Sequence, residues 1–281
     1  MTTSFRFIVV AALLLADATV ALSQSFYAIR RERSVIGYVG VGSANYFGEL
    51  TNPKSLGTVK YGLNVGLEHF FTNRISGRAE VNWFQISGSD ANANDSRIVR
   101  KLSFISNNIE GNIVGTINLL PNGRRFYQRQ VINFYAFAGI GLLYINPKTE
   151  YNGEMVALQP LKTEGIKYSK VQPVIPFGGG IKVKAGPFFN LTFEGGIRKT
   201  FTDYIDDISV REYPDPATLS SDLSRALSNR SGGEALVRGN PEKDDWYFMM
   251  NARIQYYLPY DLSAFRRNKL YTQKRRNYRR R

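Results

Sequence analysis

Hydrophobic and polar positions alternate with period two along residues 58–88. Val59, Tyr61, Leu63, Val65 and Leu67 share one face, and Lys60, Gly62, Asn64, Gly66 and Glu68 the other. After Thr72, Asn73 and Arg74 the alternation resumes, with Ala79, Val81 and Trp83 opposite Ser76, Arg78, Glu80 and Asn82. The pattern predicts a hairpin whose strands run to about a dozen residues, against about five or six in ordinary sheets. Crossing a bilayer obliquely takes about nine to eleven residues per strand. The polar face is Gly, Asn, Glu and Arg. That mixture suits a crowded interior, where Gly makes room and long charged side chains reach across to partners. The hairpin therefore reads as part of a transmembrane barrel, apolar toward lipid and polar within.

Further strands are expected at residues 34–42, 104–120, 131–145, 174–184, 189–200 and 246–258. Ile105, Ile109, Ile113 and Ile117 oppose Glu110, Asn112, Thr116 and Asn118; the 131–145 segment is apolar on both faces, which leaves its orientation open. Residues 43–57, 89–101, 146–170 and 202–245 read as the longer connections, with some helical character at 217–229. Long connections alternate with shorter ones, as in barrels with long external loops and short periplasmic turns. The expected fold is all-β: an eight-stranded antiparallel transmembrane up-and-down β-barrel. Both termini lie in the periplasm, one external loop is long, and the C-terminal tail is basic.

An eight-stranded barrel is filled by its own side chains. The candidate interior ion-pairing residues are Glu68, Arg78, Glu80, Glu110, Glu194, Arg198 and Arg253, joined by Lys182. Both signs are present, which argues for internal ion pairs and against an open pore. A three-residue turn at 72–74 sets Glu68 opposite Arg78, so these two are expected to pair.

The chain's start changes the compartment. Arg6, an apolar run at 7–15 and small residues at Ala21 and Ser23 read as a secretory signal peptide over 1–23. A periplasmic segment follows at 24–33, then the barrel at 34–259 and the tail at 260–281. This places the protein in the outer membrane of a Gram-negative bacterium. There is no cysteine, and 17 Tyr and 18 Phe suit interfacial aromatic girdles. The formal net charge is +14, and nine of the basic residues lie in 266–281, leaving +5 for the rest. The topology gathers Arg30, Arg31 and Arg33, Arg74, and Arg124, Arg125 and Arg129 at the same end as Arg266, Arg267, Lys274, Arg275, Arg276, Arg279 and Arg280. Export argues against nucleic acid as the partner of this face. An acidic periplasmic protein or anionic lipid head groups remain, beside a solvated tail.

Catalytic and cofactor signals are weak. Gly40-Val41-Gly42 and Gly178-Gly179-Gly180 lack the surroundings of nucleotide-binding loops. Asp203, Asp206, Asp207 and Asp222 lack the spacing of a calcium loop and read as solvated carboxylates. His69, the sole histidine, falls at the short-turn end on the lipid-facing parity. No cofactor, metal or enzymatic activity is expected.

Several stretches carry a resemblance: RKLSF at 100–104, YAFAGIGLLYINPK at 135–148, YNGEMVALQPLKTEG at 151–165, IPFGGGIK at 175–182, GGIRKTFTDYIDDIS at 195–209 and RGNPEKDDWYF at 238–248. Together they resemble the PorG-like family of Bacteroidota outer-membrane barrels. The resemblance implies a small barrel of the type IX secretion system, which exports proteins across the outer membrane and is often coupled to gliding motility. It implies as partners a periplasmic ring lipoprotein and its ring partner, and it carries over no catalytic motif. The rival functions are a small barrel that binds or admits a small apolar ligand, and a lipid-modifying enzyme.

Overall fold

A computed structural model describes residues 33–50, 60–92, 98–123, 125–232, 237–242 and 244–259. The signal peptide, Arg30, Arg31, Arg124 and the whole basic tail lie outside the described residues. Among the described residues there are ten strands: β1 (Val35–Phe47), β2 (Lys60–Phe70), β3 (Ile75–Ser89), β4 (Ser103–Asn118), β5 (Ile132–Tyr144), β6 (Pro147–Tyr151), β7 (Glu154–Ala157), β8 (Val171–Lys184), β9 (Phe189–Thr200) and β10 (Trp246–Tyr257). One short helix, α1 (Asp222–Ser228), lies in the longest connection.

Eight strands close a ring in the order β3-β2-β1-β10-β9-β8-β5-β4, with β3 pairing β4 to complete it. All these pairings are antiparallel, and sequence neighbours are spatial neighbours throughout, so the barrel is up-and-down. The alternation dictates which way each residue points. Val65, Leu67, Val81, Ile109, Ile113, Phe193 and Ile254 face outward and are exposed, while Asn64, Glu68, Glu80, Asn112, Glu194 and Arg253 are buried inside. The open orientation of β5 resolves with Tyr135 and Phe137 inward and Phe134, Ile140 and Leu142 outward. No described helix is long and apolar enough to cross a membrane.

The two ends differ. The start of β1, the end of β10 and residues 71–74, 119–123, 125–131 and 185–188 share one end; residues 48–50, 90–92, 98–102, 145–170, 201–232, 237–242 and 244–245 share the other. Aromatic side chains mark the long-loop rim, where Phe47 stacks on Trp246 with ring centroids 4.2 Å apart and Tyr61 lies 6.3 Å from Trp83. Phe71 and Phe134 are exposed toward the other rim.

Two expectations about the connections are corrected. Residues 43–47 continue β1, because Ala44 and Tyr46 keep the inward parity and pair across to β10. Residues 146–170 contain the β6–β7 hairpin, and β6 takes over from β5 alongside β4 at Ile105 and Ser106. Its turn is Asn152-Gly153, both at positive φ (52° and 84°), the conformation such a two-residue hairpin loop requires.

Above the lumen, at the long-loop end, the loops do not trail into solvent. Leu50, Ile86, Leu102, Phe104, Leu143, Ile145, Leu158, Ile205, Ile208 and Leu227 bury one another in a continuous apolar core that extends the barrel upward. The helical character expected at 217–229 is realised as α1. Ser221 caps it by accepting the Ser224 N–H, and Leu227 points into that core.

Candidate functional site

The lumen is packed with charge. Glu68, Glu80, Glu110 and Glu194 face Arg78, Lys182, Arg198 and Arg253, all buried. Four negative and four positive groups balance. Arg253 binds Glu194 through two parallel bonds (Nη1 to Oε2, 2.7 Å; Nη2 to Oε1, 2.9 Å) and donates from Nε to Asn64 at 2.9 Å. Arg78 bridges Glu194 at 2.7 Å and Glu80 at 3.0 Å. Tyr38 and Tyr135 add hydroxyl donors to Glu80 and Glu194 at 2.8 and 2.9 Å. Glycines make this possible. A Cβ on Gly66 would lie 2.4 Å from the Tyr38 hydroxyl, and one on Gly40 would lie 2.6 Å from the Arg253 side chain.

The strand register places Glu68 opposite Arg78, as the turn length requires. The ion pair expected between them does not form. Glu68 instead accepts from Lys182 (2.7 Å), Ser76 (2.6 Å) and Gln255 (3.0 Å), and Arg78 turns to Glu80 and Glu194. Cross-strand position fixes where a side chain starts. In a narrow lumen a guanidinium reaches the far wall, where a second Arg strengthens the same carboxylate site. Glu110 gathers Asn82, Asn112 and Tyr247, with Arg198 Nε 3.7 Å away.

Side chains that pair across the lumen in this way occupy the space a water path would need. Planar bilayers containing the purified barrel are expected to show no ion-conducting steps. Steady conductance would mean that the charge network opens.

The short-turn end is floored by two arginines expected on a docking surface. Arg33 is buried, donates to the Tyr257 carbonyl at 2.6 Å and lies over the Phe188 ring, 4.4 Å from its centroid. Arg129 uses all five of its N–H donors, to Asn190 Oδ1 and to the carbonyls of Phe126, Pro187, Gly186 and Phe189, at 2.6–3.0 Å. Both therefore leave the candidate partner-binding set: their charge is spent closing the barrel and tying two turns together. Arg74 and Arg125 stay exposed at this end. His69 lies at the same rim, with Nδ1 2.9 Å from the Ser34 carbonyl and its ring edge-on to Phe71.

At the opposite end Asp203, Asp206 and Asp207 are buried rather than solvated; of the four loop aspartates considered, Asp222 alone is exposed, paired with Arg225 at 2.6 Å. Asp207, at φ 69°, accepts from the Thr163 and Tyr168 hydroxyls. Burial pushes its pKa up to about 6. Asp203 is pushed up to about 9, by burial first and then by Glu49 and Asp245, with Ser209 opposing. Asp206 and Asp245 are raised well above the carboxylate range, again chiefly by burial. The sequence hides this cluster because its members come from separate, aperiodic loops. On the outer wall, an apolar hollow of about 970 Å³ is lined by Val65, Leu67, Val81, Ile113, Leu142 and Phe201. It opens on the side turned to lipid.

No protein-family model matches the chain, and no curated protein matches it. Among solved structures, a major outer membrane protein from Thermus thermophilus is 13% identical, with 79% of this chain and 99% of that one covered and a TM-score of 0.40. The outer membrane protein OprG from Pseudomonas aeruginosa is 8% identical, covering 82% and 99%, with a TM-score of 0.39. Ail, the attachment invasion locus protein of Yersinia pestis, is 9% identical, covering 80% and 99%, also at 0.39. Similarity at that level adds nothing to the strand registers, which already define the architecture. A closed up-and-down ring of eight strands, apolar outside and filled with balanced charge within, is that of an outer-membrane β-barrel.

Proposed function

We propose that the barrel is a structural component of a type IX protein secretion machine, anchoring a periplasmic ring to the outer membrane. In this reading the termini and short turns face the periplasm and the long loops face outward. The ring lipoprotein and its ring partner grip the basic end, and the lumen plays no part in transport. The observation that carries the proposal is the placing of charge. The lumen balances its own ions, whereas Arg74 and Arg125 are exposed at the short-turn end, and the sequence carries nine basic residues and no acid over 266–281. Arg-rich surfaces suit carboxylates because the guanidinium fork binds both oxygens. Single exposed pairs contribute only about 0–1 kcal/mol, so docking requires many at once. The stretches that resemble PorG-like barrels, including residues 195–209, support the same assignment.

The test is crosslinking in cells from a photoreactive residue in the tail, followed by identification of the captured protein. An acidic ring lipoprotein is the expected product. Removing residues 266–281 and reversing Arg74 and Arg125 to Glu is expected to leave barrel abundance unchanged while capture and secretion fall. Capture undiminished by both changes would exclude the basic end as the docking surface; capture of anionic lipid alone would replace the protein partner with the membrane. The rival reading, binding of a small apolar ligand, draws on the outer-wall hollow. Ligand uptake by barrel-containing liposomes, lost when Gly111→Leu fills that hollow, would favour it.

A further inference from the structure

Three carboxylates meet above the long-loop rim from three places in the chain. Glu49 lies just after β1, Asp203 just after β9, and Asp245 immediately before β10. One oxygen from each lies within 4.8 Å of the others. A fourth, Asp206, is linked in through Tyr46, whose hydroxyl sits 2.7 Å from Asp206 Oδ2 and 2.6 Å from Asp245 Oδ1. One hydroxyl has one proton and can donate to only one of those two oxygens.

Asp203 is the decisive residue. It is 7% exposed, and neither of its carboxylate oxygens makes a hydrogen bond of ordinary geometry, although the Ser209 hydroxyl and Glu49 bear on it. A buried carboxylate in that condition is costly unless something positive meets it. Arg100 pairs with Asp90 at 2.8 Å and donates to the Glu49 carbonyl at 3.4 Å, while Arg238 pairs with Glu164 at 2.9 Å and Lys199 with Asp244 at 2.8 Å. Among the described residues, no Lys or Arg forms an ion pair with Asp203, Asp206 or Asp245.

We propose that Glu49, Asp203 and Asp245 form a binding site for a hard divalent cation, calcium in preference to magnesium, which fastens the 201–245 loop to the barrel rim. The donor set is all oxygen, without the nitrogen or sulfur that would select a softer metal. Calcium binds oxygen at about 2.3–2.6 Å, so two of its ligands can stand up to about 4.6–5.2 Å apart, a span that accommodates oxygens within 4.8 Å of one another after small side-chain adjustment. Magnesium binds at about 2.0–2.1 Å and demands near-ideal octahedral geometry, which would force the loops closer together. Water and the second carboxylate oxygens fill the other positions. Because Asp203 and Asp245 bracket the longest loop and Glu49 belongs to a different one, the ion joins three chain segments that share no regular secondary structure. The inference does not depend on the secretion role.

The experiment uses the full chain folded in detergent and stripped with chelator. Terbium is titrated in while emission sensitised by tyrosine is followed, since the Tyr46 hydroxyl touches the cluster. A saturable signal is expected, displaced by calcium at lower concentration than by magnesium. Asp203→Asn is expected to weaken terbium and calcium binding by about tenfold or more. Glu49→Gln serves as the second variant if the first fails to fold. In parallel, proteinase K digestion of the 201–245 loop is expected to be slower with calcium than with chelator in the native protein, and equally fast under both conditions in the variants. The proposal is overturned by absence of saturable terbium emission, by binding unchanged in both variants, or by loop protection indifferent to calcium. Any of these would mean that the carboxyls hold one another through shared protons instead.

Discussion

Replacing Glu194 by Ala is expected to destabilise the barrel by about 3–5 kcal/mol, the usual consequence of leaving a buried charge without its partner. Glu194 receives Arg78 on one side and a two-pronged Arg253 on the other, with Tyr135 as a further donor. Without it, two buried guanidiniums compete for Glu80 alone. The loss should appear as a lower urea midpoint for the barrel in detergent or lipid, and as loss of the folded, heat-modifiable band on gels. Removing Arg78 as well restores the balance of charge in the lumen. The double variant Glu194→Ala plus Arg78→Ala is therefore expected to be more stable than Glu194→Ala alone. If the double variant is as unstable as the sum of the two single changes, the residues act through packing and not through charge.

The second large effect is expected in the long-loop cap. Arg238 is buried and meets Glu164 at 2.9 Å, Thr163 Oγ1 at 3.2 Å and the carbonyls of Ser228 and Asp207. Its own carbonyl accepts from Arg100, which is paired with Asp90. One guanidinium thus joins the 145–170 and 201–245 loops, and one backbone carbonyl joins them to 90–102. Arg238→Met keeps the apolar stem of the side chain but leaves Glu164 buried and unpaired, at a cost of about 3–5 kcal/mol that falls on the cap rather than on the strands. Trypsin is expected to cut the native protein slowly at Arg225 and Arg230. The first is held by Asp222 and the Pro216 carbonyl, the second by the Glu150 carbonyl. In Arg238→Met the same sites are expected to open within minutes while the barrel band survives. Equal cleavage in both proteins would show that the cap does not depend on this contact.

The parts of the structure that can be read in the sequence are those where one side of a strand meets lipid. Leu63, Val65 and Leu67 must face outward, so Asn64, Gly66 and Glu68 must face inward, and a short turn then fixes Glu68 against Arg78. The identity of each ionic partner is not readable by the same route. Arg78 finds Glu194, 116 positions later, because the far wall lies within reach of a long side chain. Arg33 and Arg129 resemble surface cations in the sequence since they adjoin turns. Only the folded barrel brings Phe126, Phe188 and Tyr257 together as a seat for them. The β6–β7 hairpin does leave a sign in Asn152-Gly153, obscured by the irregular sequence around it. The carboxylate cluster leaves none: the FTDYIDDIS stretch has neither period, and its burial depends on loops far away in the chain.

The lumen network also bears on the order in which the protein can be completed. Arg253 lies on β10, the last strand, and its partners lie on β2, β3 and β9. A chain that ends before β10 therefore has Glu80 and Glu194 with half their cations missing, and also lacks the strand that pairs with β1. Sealing the seam between first and last strands and neutralising the interior are one event. An unfinished chain cannot hide its acidic interior from water or from the bilayer, so premature closure is disfavoured until the final strand arrives with the charge that locks it.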